Sequence, residues 1–472
     1  MIRLFLKFSA GTWFSAALSI LTLPIITALI RPDEFGRAAM FSLASGLASQ
    51  LAMLGADQAY AREFYGRSPG VDRAALLRDV MALPTILSLA TTAAVLIFAR
   101  PISEQLFGFA DPFAARLLAL SVLLALTERF SMLTLRMDQR AAAFSSLRVA
   151  FALTTFVVTL AYALLVDSSF HAIITGQVIG LAVVSLVAIV LAKQAWRRGP
   201  VSGPGVRSAL AYGLPFVPTF AAMWVLEGID KVALRHLSDF TELGIFSAAY
   251  RFIALVALVQ AGFSTFWAPV SFELFERDRE QARSIFSRAL EMMAPLLFLA
   301  GLGVLLAKDL IALLFAADYR DAARVMPFLL LVPMLYTLSD VTSAGINLVR
   351  LPRWHMIIAT LTALGNTGLN LLLVPRLGAL GAAVSTGCSY LLFFALRTHV
   401  SQRLLALDLR VKRLLVMLAA VAGCCAAHSL APDAAASYVA TIVAMLLCTW
   451  LYRYELQDVA GRLAWALAES RR

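Results

Sequence analysis

Apolar stretches of about twenty residues follow one another along this chain almost without interruption. That is the length an α-helix needs to cross ~30 Å of hydrocarbon, where each backbone polar group must find its partner inside the segment. Of 472 residues, 61% are apolar and 15% charged, far from the balance of a water-soluble domain. The expected fold is an all-α integral membrane protein with about fourteen transmembrane helices. They fall near Phe8 to Ile30, Ala38 to Ala59, Val80 to Ala99, Phe113 to Leu135, Ala141 to Val166, Ala172 to Ala192, Ser208 to Leu226, Gly244 to Val270, Ala289 to Ala307, Val325 to Val349, His355 to Val374, Leu377 to Leu396, Leu414 to Leu430 and Ala434 to Leu451. Fourteen spans leave only short connections and no room for a folded catalytic domain.

The expected organisation is a six-helix lobe over 1–192, a basic cytoplasmic linker over 193–207, a second six-helix lobe over 208–400, two further helices over 401–452 and a tail over 453–472. In the tail Leu456, Val459, Leu463 and Leu467 recur at helical spacing among charged residues, the pattern of a helix lying on a membrane surface or of a solvated tail.

The chain carries a net charge of +11, from 40 Lys and Arg against 29 Asp and Glu. In a membrane protein that excess is first a matter of orientation, because cytoplasmic loops collect Lys and Arg. With both termini in the cytoplasm, 28 of the basic residues are assigned to the inside ends and loops and 10 to the outside ones, with Arg129 and Arg251 assigned to neither. Topology therefore accounts for the charge without a nucleic-acid partner. Cys388, Cys424, Cys425 and Cys448 all lie in apolar stretches without metal-ligand spacing, and no Walker, GxGxxG or HExxH pattern supports ATP-driven transport or metal hydrolysis.

An internal repeat is visible. Asp33-Glu34-Phe35-Gly36 follows span one, and Thr241-Glu242-Leu243-Gly244 follows span seven, 208 residues later. Pro24 precedes the first turn, and Pro215 and Pro218 the second. Six spans per repeat give two halves that face the same way across the membrane, a parallel-repeat arrangement used by some transporters.

Three stretches extend this pattern. The first is Pro24-Ile25-Ile26-Thr27 through Pro32-Asp33-Glu34-Phe35-Gly36 to Gly55-Ala56-Asp57. The second joins Tyr212-Gly213-Leu214-Pro215, Asp230-Lys231, Leu243-Gly244-Ile245-Phe246-Ser247-Ala248-Ala249-Tyr250 and Phe266-Trp267-Ala268-Pro269. The third is Leu369-Asn370-Leu371-Leu372-Leu373-Val374-Pro375 with Leu377-Gly378-Ala379-Leu380-Gly381-Ala382-Ala383. In order and spacing they resemble the lipid-linked oligosaccharide flippases, the O-antigen and polysaccharide transporters of the multidrug and oligosaccharidyl-lipid exporter superfamily. The resemblance implies two six-helix lobes around a central cavity. It also implies alternating access that moves a polyprenyl-diphosphate-linked oligosaccharide across a bacterial inner membrane, without catalytic residues, and possible association with other polysaccharide-assembly proteins. Related lipid II flippases carry essential arginines in the first helix, whereas this chain has no basic residue between Lys7 and Arg31. That departure argues against a peptidoglycan precursor as substrate.

A diphosphate-bearing glycan needs a wet cavity with cations, since Arg and Lys bind phosphate through charge-assisted hydrogen bonds. Ionisable residues at membrane depth are the places to seek one. Arg251 in span eight either binds the anion or pairs with Glu227 or Asp230 of span seven. Lys231, beside Asp230, snorkels to the outer interface or contacts substrate. Glu128 and Arg129, near the inner third of span four, point about 100° apart; Arg129 snorkels or faces the cavity. Asp340, deep in span ten, either couples transport to a proton or sodium gradient or stays protonated against Ser339, Ser343 or Asn347. Asp57 is a coupling residue or a cap for the loop after span two. Asn366 and Asn370 share one face of span eleven and contact sugar or bond to another helix. Gly176-x-x-x-Gly180 and the Gly378 to Ala383 run permit close packing. No cofactor is expected beyond a coupling ion.

Two other functions compete: a cation-coupled multidrug antiporter of the same fold, and a membrane-embedded polysaccharide polymerase. The polymerase would need an aqueous catalytic loop, and no outside connection exceeds about 17 residues.

Overall fold

A computed structural model describes residues 11–458 and 461, except 12, 16, 20, 67–72, 252, 254–278, 344, 347, 348, 350, 352, 406–410, 432–434. Every regular element among the described residues is helical. In order they are α1 Leu23–Leu29, α2 Pro32–Met53, α3 Ala56–Gly66, α4 Arg73–Ile97, α5 Ala99–Phe107, α6 Pro112–Met137, α7 Ala141–Leu165, α8 Phe170–Leu191, α9 Gly203–Gly213, α10 Val217–Leu237, α11 Arg279–Leu306, α12 Lys308–Ala312, α13 Ala322–Thr342, α14 Arg353–Leu404, α15 Val411–Leu430 and α16 Ala435–Leu451. Helical residues 240–251 follow α10.

Eight helices are long and apolar enough to cross a membrane, or ten when each of two bent pairs counts as one span. The protein is thus a multi-pass membrane protein, although the described residues do not reach fourteen such helices. The apolar helices Trp13–Leu29 and Ala435–Leu451 fall short of the length required, and most of the expected span over 244–270 lies outside the described residues, as do Phe266 to Pro269. Val459, Leu463 and Leu467 of the expected surface helix also lie outside them. Expected spans eleven and twelve form one α14, interrupted at Gly378, where φ is 53° and ψ −130°. The chain doubles back there: Gly365 lies against Leu392, and a Cβ at Gly381 would stand 2.5 Å from the Leu373 carbonyl oxygen. Only glycine permits that turn without strain.

The helix ends follow from local chemistry. Asp111 caps α6 by accepting from the backbone N–H of Phe113 and Ala114, with Pro112 at the first helical position. Small residues let helices close on one another, as expected of Gly176. A Cβ there would lie 2.7 Å from the Thr155 carbonyl oxygen, so α8 rides directly on the α7 backbone. Buried polar side chains find partners: the Tyr60 hydroxyl meets Thr134 Oγ1 at 2.9 Å, and Trp196 Nε1 donates to Ser131 Oγ at 3.0 Å.

The chain divides into two compact units, the first comprising 1–235 and 239–247, the second 236–238 and 248–472. The division falls later than the expected lobe boundary at 193–207. The basic segment is fastened to the start of α4, where Arg78 donates to the carbonyls of Arg197 (2.8 Å) and Pro200 (3.3 Å), and Asp79 accepts from Ser202 N–H at 2.6 Å. Of the helices after it, α9 packs on α3 and α4, and Gly228 of α10 closely faces Leu43 of α2. In the second unit, ion pairs Arg288–Asp458 (2.9 Å) and Arg413–Glu455 (3.3 Å) tie the residues after α16 back to α11 and α15.

Candidate functional site

Two spans of the first unit are broken, and the breaks touch. The pair α2 and α3 bends by 55° at Leu54, in the left-handed region with φ 46°, and at Gly55, with φ 71°. Neither break nor bend is evident in a simple hydropathy reading. The second break lies between α9 and α10, where Pro215 and Pro218 interrupt the hydrogen-bond ladder and the axis bends by 46°. Gly55 and Gly213 meet backbone to backbone: a Cβ on Gly213 would lie 2.7 Å from the Leu54 carbonyl oxygen, and one on Gly55 would overlap the Gly213 carbonyl. Interrupted membrane helices expose backbone groups and helix ends that intact helices keep satisfied, which is why transporters place substrate and ion sites at such breaks.

Asp57 opens the helix that begins at the first break and is 2% exposed. Its Oδ2 accepts from Arg129 of α6 through Nη2 at 2.5 Å and Nε at 3.2 Å, and its Oδ1 accepts from the Gln58 backbone N–H at 3.0 Å. The Arg129 side chain remains 47% exposed. The structure thus joins two residues for which the sequence suggests separate roles, snorkelling or lining a cavity for Arg129 and coupling or capping for Asp57. A buried carboxylate is tolerable because this guanidinium and the helix start both oppose its charge. Glu128 lies in the field of Arg148 on α7 as well as of Arg129.

On α10, Asp230 is 2% exposed, whereas Glu227 is exposed and Lys231 half-buried. Glu227 and Lys231 lie one turn apart and interact electrostatically. Arg251, in helical residues of the second unit, is half-buried and lies within electrostatic reach of Tyr319.

Asp340 on α13 has a cationic neighbour in Arg397 of α14. Arg397 Nη1 donates to Ser339 Oγ at 2.7 Å and stands 3.5 Å from Asp340 Oδ1. The Arg397 guanidinium lies 5.0 Å from the Phe393 ring centroid and 5.6 Å from that of Tyr336, and its buried Nε has no hydrogen-bond partner among the described residues. Arg397 is 6% exposed, not the inner-loop residue expected from the end of span twelve. Ser343 Oγ makes no hydrogen bond among the described residues, and Asn347 lies outside them. The apolar run Leu391 to Leu396 continuing into Arg397 is the signal that marks this residue in the sequence.

Asn366 and Asn370 are fully buried, and Asn370 Nδ2 donates to the Asn366 carbonyl at 3.0 Å and its Oδ1 at 3.1 Å. Their shared face is the one the spacing predicts. Among the described residues, no three His, Cys, Asp or Glu side chains converge as a metal site requires.

Similarity to known proteins agrees with this architecture. The chain is 24% identical over 210 residues to an uncharacterized membrane protein of Methanocaldococcus jannaschii, a match covering 42% of this chain and 40% of that protein's length. Its fold is similar to that of the lipid II flippase MurJ in an inward closed conformation, with a TM-score of 0.72 at 14% identity over 97% of this chain and 99% of that one. It is also similar to an inward-facing multidrug resistance MATE family transporter of the MOP superfamily, with a TM-score of 0.58 at 17% identity over 85% of this chain and 96% of that one. An outward-facing MATE transporter aligns over 88% of this chain and 96% of that one, with a TM-score of 0.54 at 17% identity. Residues 25–324 match the family described as polysaccharide biosynthesis protein, and with most of its length so matched the chain belongs to that family.

Proposed function

We propose that this protein flips a polyprenyl-diphosphate-linked oligosaccharide repeat unit from the cytoplasmic to the outer leaflet of a bacterial inner membrane by alternating access, supplying O-antigen or exopolysaccharide synthesis. The observation that carries the reading is the pair of broken spans meeting at Gly55 and Gly213, with the Asp57–Arg129 pair at the junction, in a chain of the polysaccharide biosynthesis family. A charged, hydrated headgroup cannot cross hydrocarbon alone. Helix breaks supply polar groups at membrane depth, and the polyprenyl chain stays in lipid while the headgroup moves. Arg129, Lys231 and Arg251 are the cations proposed to meet the diphosphate, with Asn366 and Asn370 available to sugar hydroxyls in another state of the cycle. The chain moves its substrate without making or breaking a bond in it.

Asp340 with Arg397 is the proposed coupling element. A carboxylate that gains a proton or meets sodium loosens its hold on the guanidinium, and that exchange links an ion gradient to the conformation of α13 and α14. Both termini are proposed to be cytoplasmic, with the linker over 193–207 on that side, and other polysaccharide-assembly proteins are proposed to receive the product. The second reading, a cation-coupled multidrug antiporter, is favoured by the similarity to MATE transporters. Reconstituted vesicles separate the two: the flippase reading requires leaflet exchange of a lipid-linked glycan, and the antiporter reading requires ion-driven accumulation of a cationic dye.

A further inference from the structure

The broken span α9 and α10 carries four aromatic residues at intervals of four, Tyr212, Phe216, Phe220 and Trp224. Residues four apart lie on one side of a helix, and here the ring contacts continue across the break. The ring centroids of Tyr212 and Phe216 are 5.5 Å apart, and those of Phe216 and Phe220 are 6.1 Å apart with planes only 23° from parallel. None of the four is fully buried. Beyond Phe216, Phe220, Ala221 and Trp224 face Leu47, Gln50 and Leu51 of α2 across a shallow cleft. The ladder has polar ends. The Arg62 guanidinium lies 4.4 Å from the Tyr212 ring centroid, and Glu227 and Lys231 continue the same stripe beyond Trp224 at the three- and four-residue spacing of a helix face.

We infer that Tyr212, Phe216, Phe220 and Trp224 form a stacking track along which the sugar rings of the lipid-linked glycan move, with Gln50, beside Phe220 and Trp224, hydrogen-bonding a hydroxyl of the ring stacked there. The inference rests on the flippase reading and names the element that handles the carbohydrate. A pyranose has an apolar face of C–H bonds and an equatorial rim of hydroxyls. A flat aromatic ring attracts the C–H face while the amide of Gln50 serves the rim. Repeated near-equivalent rings let a glycan advance without a deep well at any one position, and stacking tolerates changes of sugar identity where a hydrogen-bonded pocket would not. A groove for the polyprenyl chain alone would need neither flat rings at regular spacing nor a polar side chain in its wall.

The test uses the full-length protein in lipid nanodiscs with two radiolabelled probes, an undecaprenyl-diphosphate-linked trisaccharide and sugar-free undecaprenyl diphosphate. Phe220→Leu and Trp224→Leu keep apolar bulk and remove the flat face, while Trp224→Phe keeps a ring. Each Leu variant is expected to bind the trisaccharide lipid about tenfold more weakly and the sugar-free lipid as the parent does, which also reports an intact fold. Trp224→Phe is expected to retain most of the trisaccharide affinity. Leu variants that keep the parent's preference for the glycosylated lipid overturn the track and leave the flippase reading standing. Leu variants that lose both probes equally also overturn it, because the groove then holds the lipid chain or only the fold. A parent protein that binds the two probes alike overturns the track together with the functional reading on which it rests.

Discussion

Gly36 and Gly244 hold reciprocal positions in the first unit: Gly36 lies against the Phe240 carbonyl, and Gly244 against the carbonyl of Pro32. Both glycines belong to the repeated Glu-x-Gly turn, and each contact joins a glycine to the residue four before its counterpart, at the 208-residue offset of the repeat. The arrangement is that of an isologous contact, in which residue i meets j and j meets i. The repeat is therefore a packing element: its glycines let two helix starts approach to backbone contact.

A Cβ at either position would overlap a carbonyl oxygen that has nowhere to retreat. Gly244→Ala and Gly36→Ala are each expected to destabilise the protein by about 1–3 kcal/mol, read as a lowered melting temperature in detergent and reduced membrane abundance. Gly303→Ala is the control, because nothing lies within 4 Å of a Cβ there. Equal melting temperatures for all three would refute the packing role.

The Asp57–Arg129 pair predicts a non-additive response. Arg129→Ala strands a carboxylate that is 2% exposed, so abundance should fall. Asp57→Asn with Arg129→Ala should recover abundance, since no buried charge is then left alone. A double-mutant cycle on stability should give a coupling of about 1–3 kcal/mol. Transport should stay low in the double variant, because the proposed phosphate contact at Arg129 is gone. Additive single effects would show that the pair does not act as a unit.

Much of this architecture can be read from the residues. Hydropathy locates the helices because a membrane span must be apolar over a fixed length, and the i, i+4 spacing puts Asn366 and Asn370 on one face. The breaks are less legible. A left-handed Leu54 has no compositional mark, and Gly55 alone does not reveal that Gly213 closes on it. Ion pairs across long sequence separation, Asp57 with Arg129 and Asp340 with Arg397, depend on which helix faces meet, which periodicity within one helix cannot supply. Arg397 is missed for a simpler reason: an arginine ends an apolar run, and a hydropathy boundary placed before it turns a buried residue into a loop residue.

Asp340 carries the coupling prediction. Asp340→Asn preserves shape and should fold and reach the membrane, but flipping in proteoliposomes should no longer respond to an imposed proton or sodium gradient. Arg397→Lys should impair the cycle too, since a lysine ammonium cannot reproduce the guanidinium's packing against Phe393 and Tyr336 while reaching Ser339. Gradient-dependent flipping at the parent rate by Asp340→Asn would remove Asp340 from the coupling mechanism.

Orientation is open to a direct check. Reporter fusions after Arg73, Arg198, Arg283 and Arg403 should report cytoplasm, and fusions after Gly108 and Pro432 the outside, following the 28 to 10 division of basic residues. A cytoplasmic signal after Pro432 would break the fourteen-span topology.

Leaflet exposure of a lipid-linked glycan tests the account at its centre. Proteoliposomes containing the purified protein and a polyprenyl-diphosphate-linked oligosaccharide are exposed to an impermeant glycan-modifying enzyme, alongside protein-free vesicles. The account predicts that the enzyme reaches essentially the whole pool when the protein is present and only the outer-facing half when it is absent. An accessible fraction that stays at one half with folded protein in the membrane would contradict it.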